Sequence, residues 1–449
     1  MRAMTKTMEK EFLCYNWWRK AMAAACCVLL VAVHASAYDL MLDGIAYNVN
    51  SDSTSLTVTY TELCSPNNYS DVTSIVIPSK LLVGEKLCYV SAIGDFAFSG
   101  SQSLQSVTIS ESVSHIGDRA FAHCPALDSI KVDEENPYFD SRFDCDAIID
   151  TETETFIAGC HNSIIPADVT SIEAFAFSGC TQLTEIEIPE SVSRIGYEAF
   201  EGCGLTSVFL PFSVEYLGYR VFANCPDLTT ITVGPESWTF DSRDSCNAVI
   251  ETATNTLVAG CKESVIPETV SKIGYEAFSG CVGLIEMVIP DSVVAINHYA
   301  FRDCADLQMV DISSTVSSFG DRAFGDCSQL KKVYARLEHP EEGYYYDYST
   351  FQGVDVNTCL LLVDAGRIDI YRVTAPWKDF LMIRDFDHEF LRGDVTGDGK
   401  VDVADVNAII NIILEIKTQS DYPGNADLNE DGKVDVSDVN EVINIILSA

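Results

Sequence analysis

Hydrophobic and polar positions between residues 93 and 327 follow a repeated order. Ile93-Gly94-Asp95-Phe96-Ala97-Phe98 returns as Ile116-Gly117-Asp118-Arg119-Ala120-Phe121, Ile195-Gly196-Tyr197-Glu198-Ala199-Phe200 and Ile273-Gly274-Tyr275-Glu276-Ala277-Phe278. Looser copies end at Phe177, Phe222, Phe301 and Phe324, and the steps between the eight Phe residues are 23, 56, 23, 22, 56, 23 and 23. Seven of the eight copies carry Cys three residues later, and the first carries Ser101. A Leu and an alternating apolar run follow, as in Leu183-Thr184-Glu185-Ile186-Glu187-Ile188-Pro189. Alternation with period two, ended by Pro, predicts a short strand. Units at a fixed period stack into a solenoid in which each buries its face against its neighbours. One strand per repeat then gives a continuous parallel sheet.

Each 56-residue step contains a 33-residue insert, and the two inserts match at an offset of 101. Phe139-Asp140-Ser141-Arg142 pairs with Phe240-Asp241-Ser242-Arg243, Cys145 with Cys246, and Cys160 with Cys261. The segment from Ala147 to Ala158 alternates around Thr151-Glu152-Thr153-Glu154 and predicts a hairpin. Cys145 and Cys160, like Cys246 and Cys261, fall symmetrically about their turns. Opposed strand positions bring Cβ atoms within reach of a bridge, so two hairpin disulfides are expected. The Cys residues of the repeat ladder read as small buried hydrophobes. No C-x-x-C spacing suggests zinc.

A different pattern closes the chain. Val406, Ile409, Ile410, Ile413 and Leu414 lie at helical spacing, as do Val439, Val442, Ile443, Ile446 and Leu447, 33 residues on. Each set predicts an amphipathic helix with one apolar face. Before each helix lies an oxygen-rich loop. The first places Asp394, Thr396, Asp398, Lys400, Asp402 and Asp405 at positions 1, 3, 5, 7, 9 and 12; the second places Asp427, Asn429, Asp431, Lys433, Asp435 and Asp438 there. Gly399 and Gly432 stand at position 6. Hard oxygen donors around a Gly-permitted turn are what calcium requires, with Lys400 and Lys433 offering only their carbonyls. Two Ca²⁺ sites are expected. Since two short helices make a small core, calcium should supply part of its folding free energy.

Composition sharpens this picture. The 449 residues include 28 Lys and Arg against 67 Asp and Glu, a formal charge of −39, which argues against nucleic-acid binding. Residues 391–449 hold 12 of the acids and four of the bases. At the other end, Arg19 and Lys20 precede an apolar run from Ala21 to Val33 and the small residues Ala35-Ser36-Ala37. Residues 1–37 read as a secretory signal, leaving a mature chain with no transmembrane segment and a secreted or cell-surface location. No H-E-x-x-H, G-x-S-x-G or phosphate-binding Gly loop occurs, so no enzyme is expected.

Two family resemblances follow from these motifs. The unit Ile188-Pro189-Glu190-Ser191-Val192-Ser193-Arg194-Ile195-Gly196-Tyr197-Glu198-Ala199-Phe200-Glu201-Gly202-Cys203 resembles the BspA-type leucine-rich repeat, as does the insert segment from Ala248 to Cys261. So does the end of the array, Val373 to Phe380 with Trp377. The duplicated loop and helix resemble the type I dockerin. The resemblances imply a mainly β leucine-rich-repeat solenoid plus a small all-α calcium-binding dockerin domain. The expected divisions are a signal peptide at 1–37, a β cap at 38–90, repeats at 91–335, a second cap at 336–388 and a dockerin at 391–449. The first family implies an extracellular bacterial binding protein. The second implies docking to a cohesin-like module through loop positions 10 and 11, here Val403, Ala404, Val436 and Ser437, with Ile412 and Ile445 as further partner-facing candidates. The array is expected to bind a host or neighbouring-cell protein through Thr108, Lys131, Glu187, Phe209, Thr232, Val288, Asp311 and Tyr334. The alternative is a glycan ligand in a polysaccharide-degrading assembly, with His339 to Tyr348 supplying aromatic planes.

Overall fold

The computed structural model describes residues 38–63, 65, 68–340, 349–386, 392–397, 400–422, 424–429 and 431–448. The signal-like segment 1–37, Cys64, Tyr344 to Tyr348 and Asp398 therefore lie outside the described residues.

The array starts with a sheet of strands Leu40–Leu42, Ile45–Val49, Ser55–Thr59, Lys86–Ile93 and Lys80–Val83. Ser55–Thr59 runs parallel to Lys86–Ile93, and the other pairs are antiparallel. Lys86–Ile93 then pairs in parallel with His115–Ile116 of the first full repeat. The buried Tyr69 hydroxyl locks this cap by accepting from Ala46 N–H at 3.0 Å and donating to the Thr59 carbonyl at 2.5 Å.

Each typical repeat supplies two parallel strands, where the alternation predicted one. The longer strand comes from the alternating run, as in Ser207–Leu210 beside Thr230–Val233, or Glu286–Ile289, Met309–Ile312 and Lys332–Ala335. The shorter one is the two residues before the repeat Gly, as in Arg194–Ile195 and Tyr216–Leu217, or before Glu173 where it replaces that Gly, as in Ser171–Ile172. Two residues are too few for a period to show in sequence. The Gly follows because the turn packs backbone on backbone: a Cβ at Gly218 would stand 2.3 Å from Tyr197 N, and one at Gly320 2.1 Å from His298 N. One alternating run, Thr184 to Ile188, forms no regular strand.

The interior is a stack of rings. Phe177 lies 5.2 Å from Phe200, and Phe200 6.0 Å from Phe222; Phe278, Phe301, Phe324 and Phe351 follow at 4.9, 5.1 and 5.5 Å, near parallel. Beside it runs the expected thiol ladder. Cys124, Cys203, Cys225, Cys304 and Cys327 each donate to the carbonyl of the Phe one repeat back, at 3.0–3.2 Å.

The inserts do form hairpins, Ala147–Asp150 with Thr155–Gly159 and Ala248–Glu251 with Thr256–Gly260. They are partitions rather than excursions. Ile148 packs with the N-terminal core, whereas Ala147 and Ile149 pack with the middle one. Val249 faces the middle core, and Ala248 and Ile250 the C-terminal one. Two walls buried on both faces thus divide the solenoid interior into three.

The same geometry corrects the disulfide expectation. All thirteen described cysteines are free and buried. A β-bulge between Ile148 and Ile149 shifts the hairpin register by one residue, and another does so between Val249 and Ile250. A one-residue shift turns a side chain to the opposite face. Cys145 therefore sits in the middle core and Cys160 in the N-terminal one; Cys246 and Cys261 are parted the same way.

Leu360–Val363 and Met382–Asp385 extend the long-strand sheet past the last repeat. The fully buried Trp377 closes this end, ringed by Phe319, Phe351 and Tyr371 at 5.4–5.6 Å. In the C-terminal segment, helices Val403–Ile413 and Val436–Ser448 pack around Val395, Ala408, Ile409, Ala426, Leu428 and Val442. Among the described residues no helix is long and apolar enough to cross a membrane.

Candidate functional site

The two acidic loops have closely similar architecture, built on the acid at position 12. Asp405 is fully buried, and its Oδ1 accepts from Thr396 N–H and Oγ1–H, both at 2.9 Å. Its Oδ2 accepts from Asp402 N–H at 2.8 Å. Asp402 in turn accepts from Ala404 N–H at 2.7 Å, completing a capping box at the helix start. Asp438, also fully buried, accepts from Leu428, Asn429 and Asp435 N–H at 2.8, 3.2 and 2.9 Å. Position 1 folds the turn: Asp394 accepts from Gly397 N–H at 2.7 Å, and Asp427 from Asp431 and Gly432 N–H at 3.2 and 2.8 Å. Gly397 and Gly432 have φ of 76° and 85°, which suits residues without a Cβ. The Ser437 hydroxyl donates to Asp435 at 2.6 Å and holds its carboxyl below the usual range.

The donors fit a hard cation. Every side chain at positions 1, 3, 9 and 12 offers oxygen, and Asp431 does so at position 5 of the second loop, with no thiol or imidazole among them. Asp405 and Asp438 are buried carboxyl groups with no Lys or Arg ion partner among the described residues, and a bound cation would supply a counter-charge there. The side chains are not drawn into a tight cage: among the described residues no three His, Cys, Asp or Glu groups converge as metal ligands. Their oxygens are spread over loop amides instead. A bound calcium would be held by these loop oxygens and would neutralise their mutual repulsion.

The helices are turned by one residue relative to the predicted stripe. Asp405, Ala408 and Ile409 are buried, with Ile412, Ile413, Ile445 and Ile446 packed against the core. Ile412 and Ile445 are thus core-packing residues, not partner-facing ones. Ile410 and Leu414, expected inside, are 37% and 62% exposed, and Ile443 and Leu447 are 37% and 81% exposed. The physical cause is the capping box, which draws position 12 inward and sets the helix phase. Val403 and Val436 are exposed at 65% and 64%, and Ala404 and Ser437 are exposed beside them. Val403, Ile410 and Leu414 therefore share one bare apolar face, and Val436, Ile443 and Leu447 share its duplicate. Ser437 also accepts from Asn429 Nδ2 at 2.8 Å, a contact Ala404 has no group to make.

On the array, Lys131, Glu187, Phe209, Thr232 and Val288 are exposed as expected, while Thr108, Asp311 and Tyr334 are half-buried. Arg336 pairs with Asp311 through two contacts of 2.7 Å and lies 5.7 Å from the Tyr334 ring centroid. The sequence did not single out a cluster of His123, Ser178 and Glu201. Ser178 Oγ donates to Glu201 at 2.9 Å, and one His123 nitrogen, Nε2, lies 3.5 Å from Ser178 and 3.6 Å from Glu201. These contacts fasten repeats across the first insert.

The fold and loops together define a leucine-rich-repeat solenoid with a calcium-type docking module. The family described as BspA type leucine rich repeat region matches residues 67–157, 154–252 and 258–360, and the chain belongs to it. It also carries a C-terminal dockerin type I domain, matched over residues 392–447. Solved structures with this fold include a leucine-rich cell surface protein from Faecalibacterium prausnitzii, at 24% identity and TM-score 0.40, covering 73% of this chain and 93% of that one. The pneumococcal vaccine antigen PcpA matches at 19% identity and TM-score 0.43, covering 77% and 97%. A leucine-rich repeat protein from Eubacterium ventriosum matches at 18% identity and TM-score 0.40, covering 68% and 98%. No curated protein matches. Both matched families are non-catalytic binding modules, dockerins of this type bind calcium, and proteins built from either are typically extracellular or surface-associated.

Proposed function

We propose that the chain is a secreted or surface-held bacterial binding protein without catalysis of its own, joined to a cohesin-like partner through its dockerin. The duplicated bare face carries this reading: Val403, Ile410 and Leu414 on one helix, and Val436, Ile443 and Leu447 on the other. Exposed apolar side chains in register on both halves are costly in water unless a partner covers them. Two calcium ions, one per loop, fix the helix starts and so present Val403, Ala404, Val436 and Ser437. Asp394, Thr396, Asp402 and Asp405 hold the first, and Asp427, Asn429, Asp431, Asp435 and Asp438 the second, with the carbonyls of Lys400 and Lys433. Asp398, outside the described residues, completes the first set.

In this reading residues 1–37 direct export, 38–90 and 336–388 cap the array, and 91–335 engage a protein of a host or neighbouring cell through the outer long-strand face. The test is a pull-down of the mature chain with calcium and with chelator. The docking partner is released by chelator and by Val403→Asp with Val436→Asp, while the array's partner stays. Identical captures in all three conditions would refute the docking assignment.

A further inference from the structure

The two junctions where an insert leaves and re-enters the array are related by the 101-residue offset, and they have diverged. At the second junction the rings of Tyr219 and Tyr275 meet at 4.7 Å, and the space among Arg220, Phe222 and Glu276 is about 10 Å³. At the first, Asp118 and Ala174 stand at the corresponding positions. With no ring pair to close it, a cleft of about 280 Å³ opens between Asp118, Arg119, Phe121, Glu173 and Phe175. Asp118 and Glu173 are exposed at this cleft. The Arg119 guanidinium lies 3.8 Å from the Phe175 ring centroid and 3.1 Å from Glu198, so stacking and an ion pair fix it.

An aromatic ridge leads away from this cleft. The Phe175 ring meets Tyr197 at 4.7 Å. Backbone bonds from Phe175 N–H to Tyr197 O and from Glu198 N–H to Tyr219 O, at 3.1 and 3.0 Å, place Tyr219 one step further on. Tyr275 and Tyr299 follow at ring spacings of 4.7 and 5.7 Å. Tyr197, Tyr219 and Tyr275 are 40%, 54% and 37% exposed. Behind Tyr197, Glu198 pairs with Arg119 and Arg220. From Tyr197 to Tyr275 the ridge is a row of rings and hydroxyls, continued by Tyr299, whose hydroxyl donates to Asp321 and whose ring lies under Arg302, and it ends in a cleft with two exposed acids, of which Glu173 accepts from Ala174 N–H, and one fixed cation.

We propose that cleft and ridge form one site for an uncharged linear oligosaccharide, separate from the docking face and from the long-strand surface. A pyranose has an apolar face to lay on a ring, and hydroxyls that both donate and accept. Asp118 and Glu173 accept from such hydroxyls, and Arg119 donates to them. The spacings of 4.7 and 5.7 Å along Tyr219, Tyr275 and Tyr299 are close to the length of one pyranose unit. A formal charge of −39 disfavours an anionic glycan. A proline-rich peptide also favours aromatic grooves, but its prolines carry no N–H to give the acids of the cleft.

The test is calorimetric titration of the mature chain with cellohexaose, mannohexaose, xylohexaose and maltohexaose, beside a proline-rich peptide and a hyaluronan hexasaccharide. At least one neutral hexasaccharide binds, its disaccharide binds about tenfold or more weakly, and chelator leaves binding unchanged. Tyr219→Ala weakens binding about tenfold. The pair Asp118→Tyr with Ala174→Tyr, which copies the closed junction, abolishes it. Tyr197→Ala serves as the ridge variant if Tyr219→Ala alters the melting curve. Failure of all four neutral sugars, preference for the peptide or the anionic sugar, or binding unaffected by a folded ridge variant would overturn the proposal. Because chelation separates this site from the dockerin, neither result bears on the docking reading.

Discussion

The thiol of Cys203 donates to the carbonyl oxygen of Phe177, 3.2 Å away in the preceding repeat. The same step joins Cys225 to Phe200 and Cys304 to Phe278. Each bond adds a second donor to a carbonyl that already accepts from a turn N–H, as Phe177 O does from Cys180 N–H at 3.0 Å, and each Cys also fills the gap beside a stacked ring. Burial pushes the Cys124 and Cys225 thiols up to about 12, so at neutral pH almost no thiolate forms. Ellman's reagent should therefore leave the described thiols unmodified in the native chain and react with them in denaturant, the hairpin pairs Cys145/Cys160 and Cys246/Cys261 included. Cys203→Ala should cost about 1–2 kcal/mol through a small cavity and the loss of one hydrogen bond. Denaturant melts of the two proteins check it.

Asp303 supplies a pH test. Burial, and then the nearby Asp326 charge, push its carboxyl up from 3.8 to about 7. Arg302 Nε stands 3.6 Å away, beyond hydrogen-bond distance. In the unfolded chain the group ionises near its ordinary value; folded, it holds its proton longer. Its cost to stability is absent below about pH 4, grows as pH rises towards 7, and is complete above that, with an upper bound of about 4 kcal/mol. Asp303→Asn should accordingly raise the melting temperature at pH 8 and change it little at pH 4. An equal shift at both values would show that the group does not titrate in this way.

The inserts predict an unusual substitution pattern. A surface hairpin has one sensitive face and one tolerant face. In this array Ile148 and Ile149 are adjacent, fully buried, and belong to different cores. Ile148→Ala and Ile149→Ala should each destabilise by about 2–4 kcal/mol. Melting curves of the two variants are the measurement, and near-wild-type behaviour of either would mean that the wall has only one working face.

Much of this was legible because repetition turns packing into spelling. The Phe and Cys columns, the 101-residue duplication and the paired loops all return at fixed offsets, and their physical roles follow from position. Features that depend on phase were not legible. The run Val406 to Leu414 is so rich in Ile that stripes through Ile409-Ile410-Ile413 and through Ala408-Ile409-Ile412 fit helical spacing about equally. The buried Asp405 chose between them, and an acid in the core is what hydrophobic patterning counts as outside. The Cys pairs look opposed until a bulge shifts the register by one. Tyr219 and Tyr275 are 56 residues apart in sequence yet their rings meet, so the ridge shows only when one column is read down the stack.

The position-12 acids give the sharpest test of the docking module. Asp438 accepts from three backbone N–H groups, joining the loop's first turn at Leu428 and Asn429 to the helix cap at Asp435. Asp438→Ala leaves those donors, of which Leu428 N–H is buried, without an acceptor and costs the second loop a calcium ligand. Without calcium, the variant should already be less stable by about 2–3 kcal/mol, the loss of a buried acceptor. With calcium the gap should widen, because binding to the native state alone adds stability in proportion to the logarithm of free ion over Kd. Calorimetry of the mature chain at rising calcium should therefore show the transition of residues 391–449 moving up in the wild type and less in Asp438→Ala. Asp405→Ala should do the same through the first loop. If both variants gained as much from calcium as the wild type, the loops would not be its site. If only one lost the gain, a single ion would serve the module, and the two halves, alike in sequence, would differ in function.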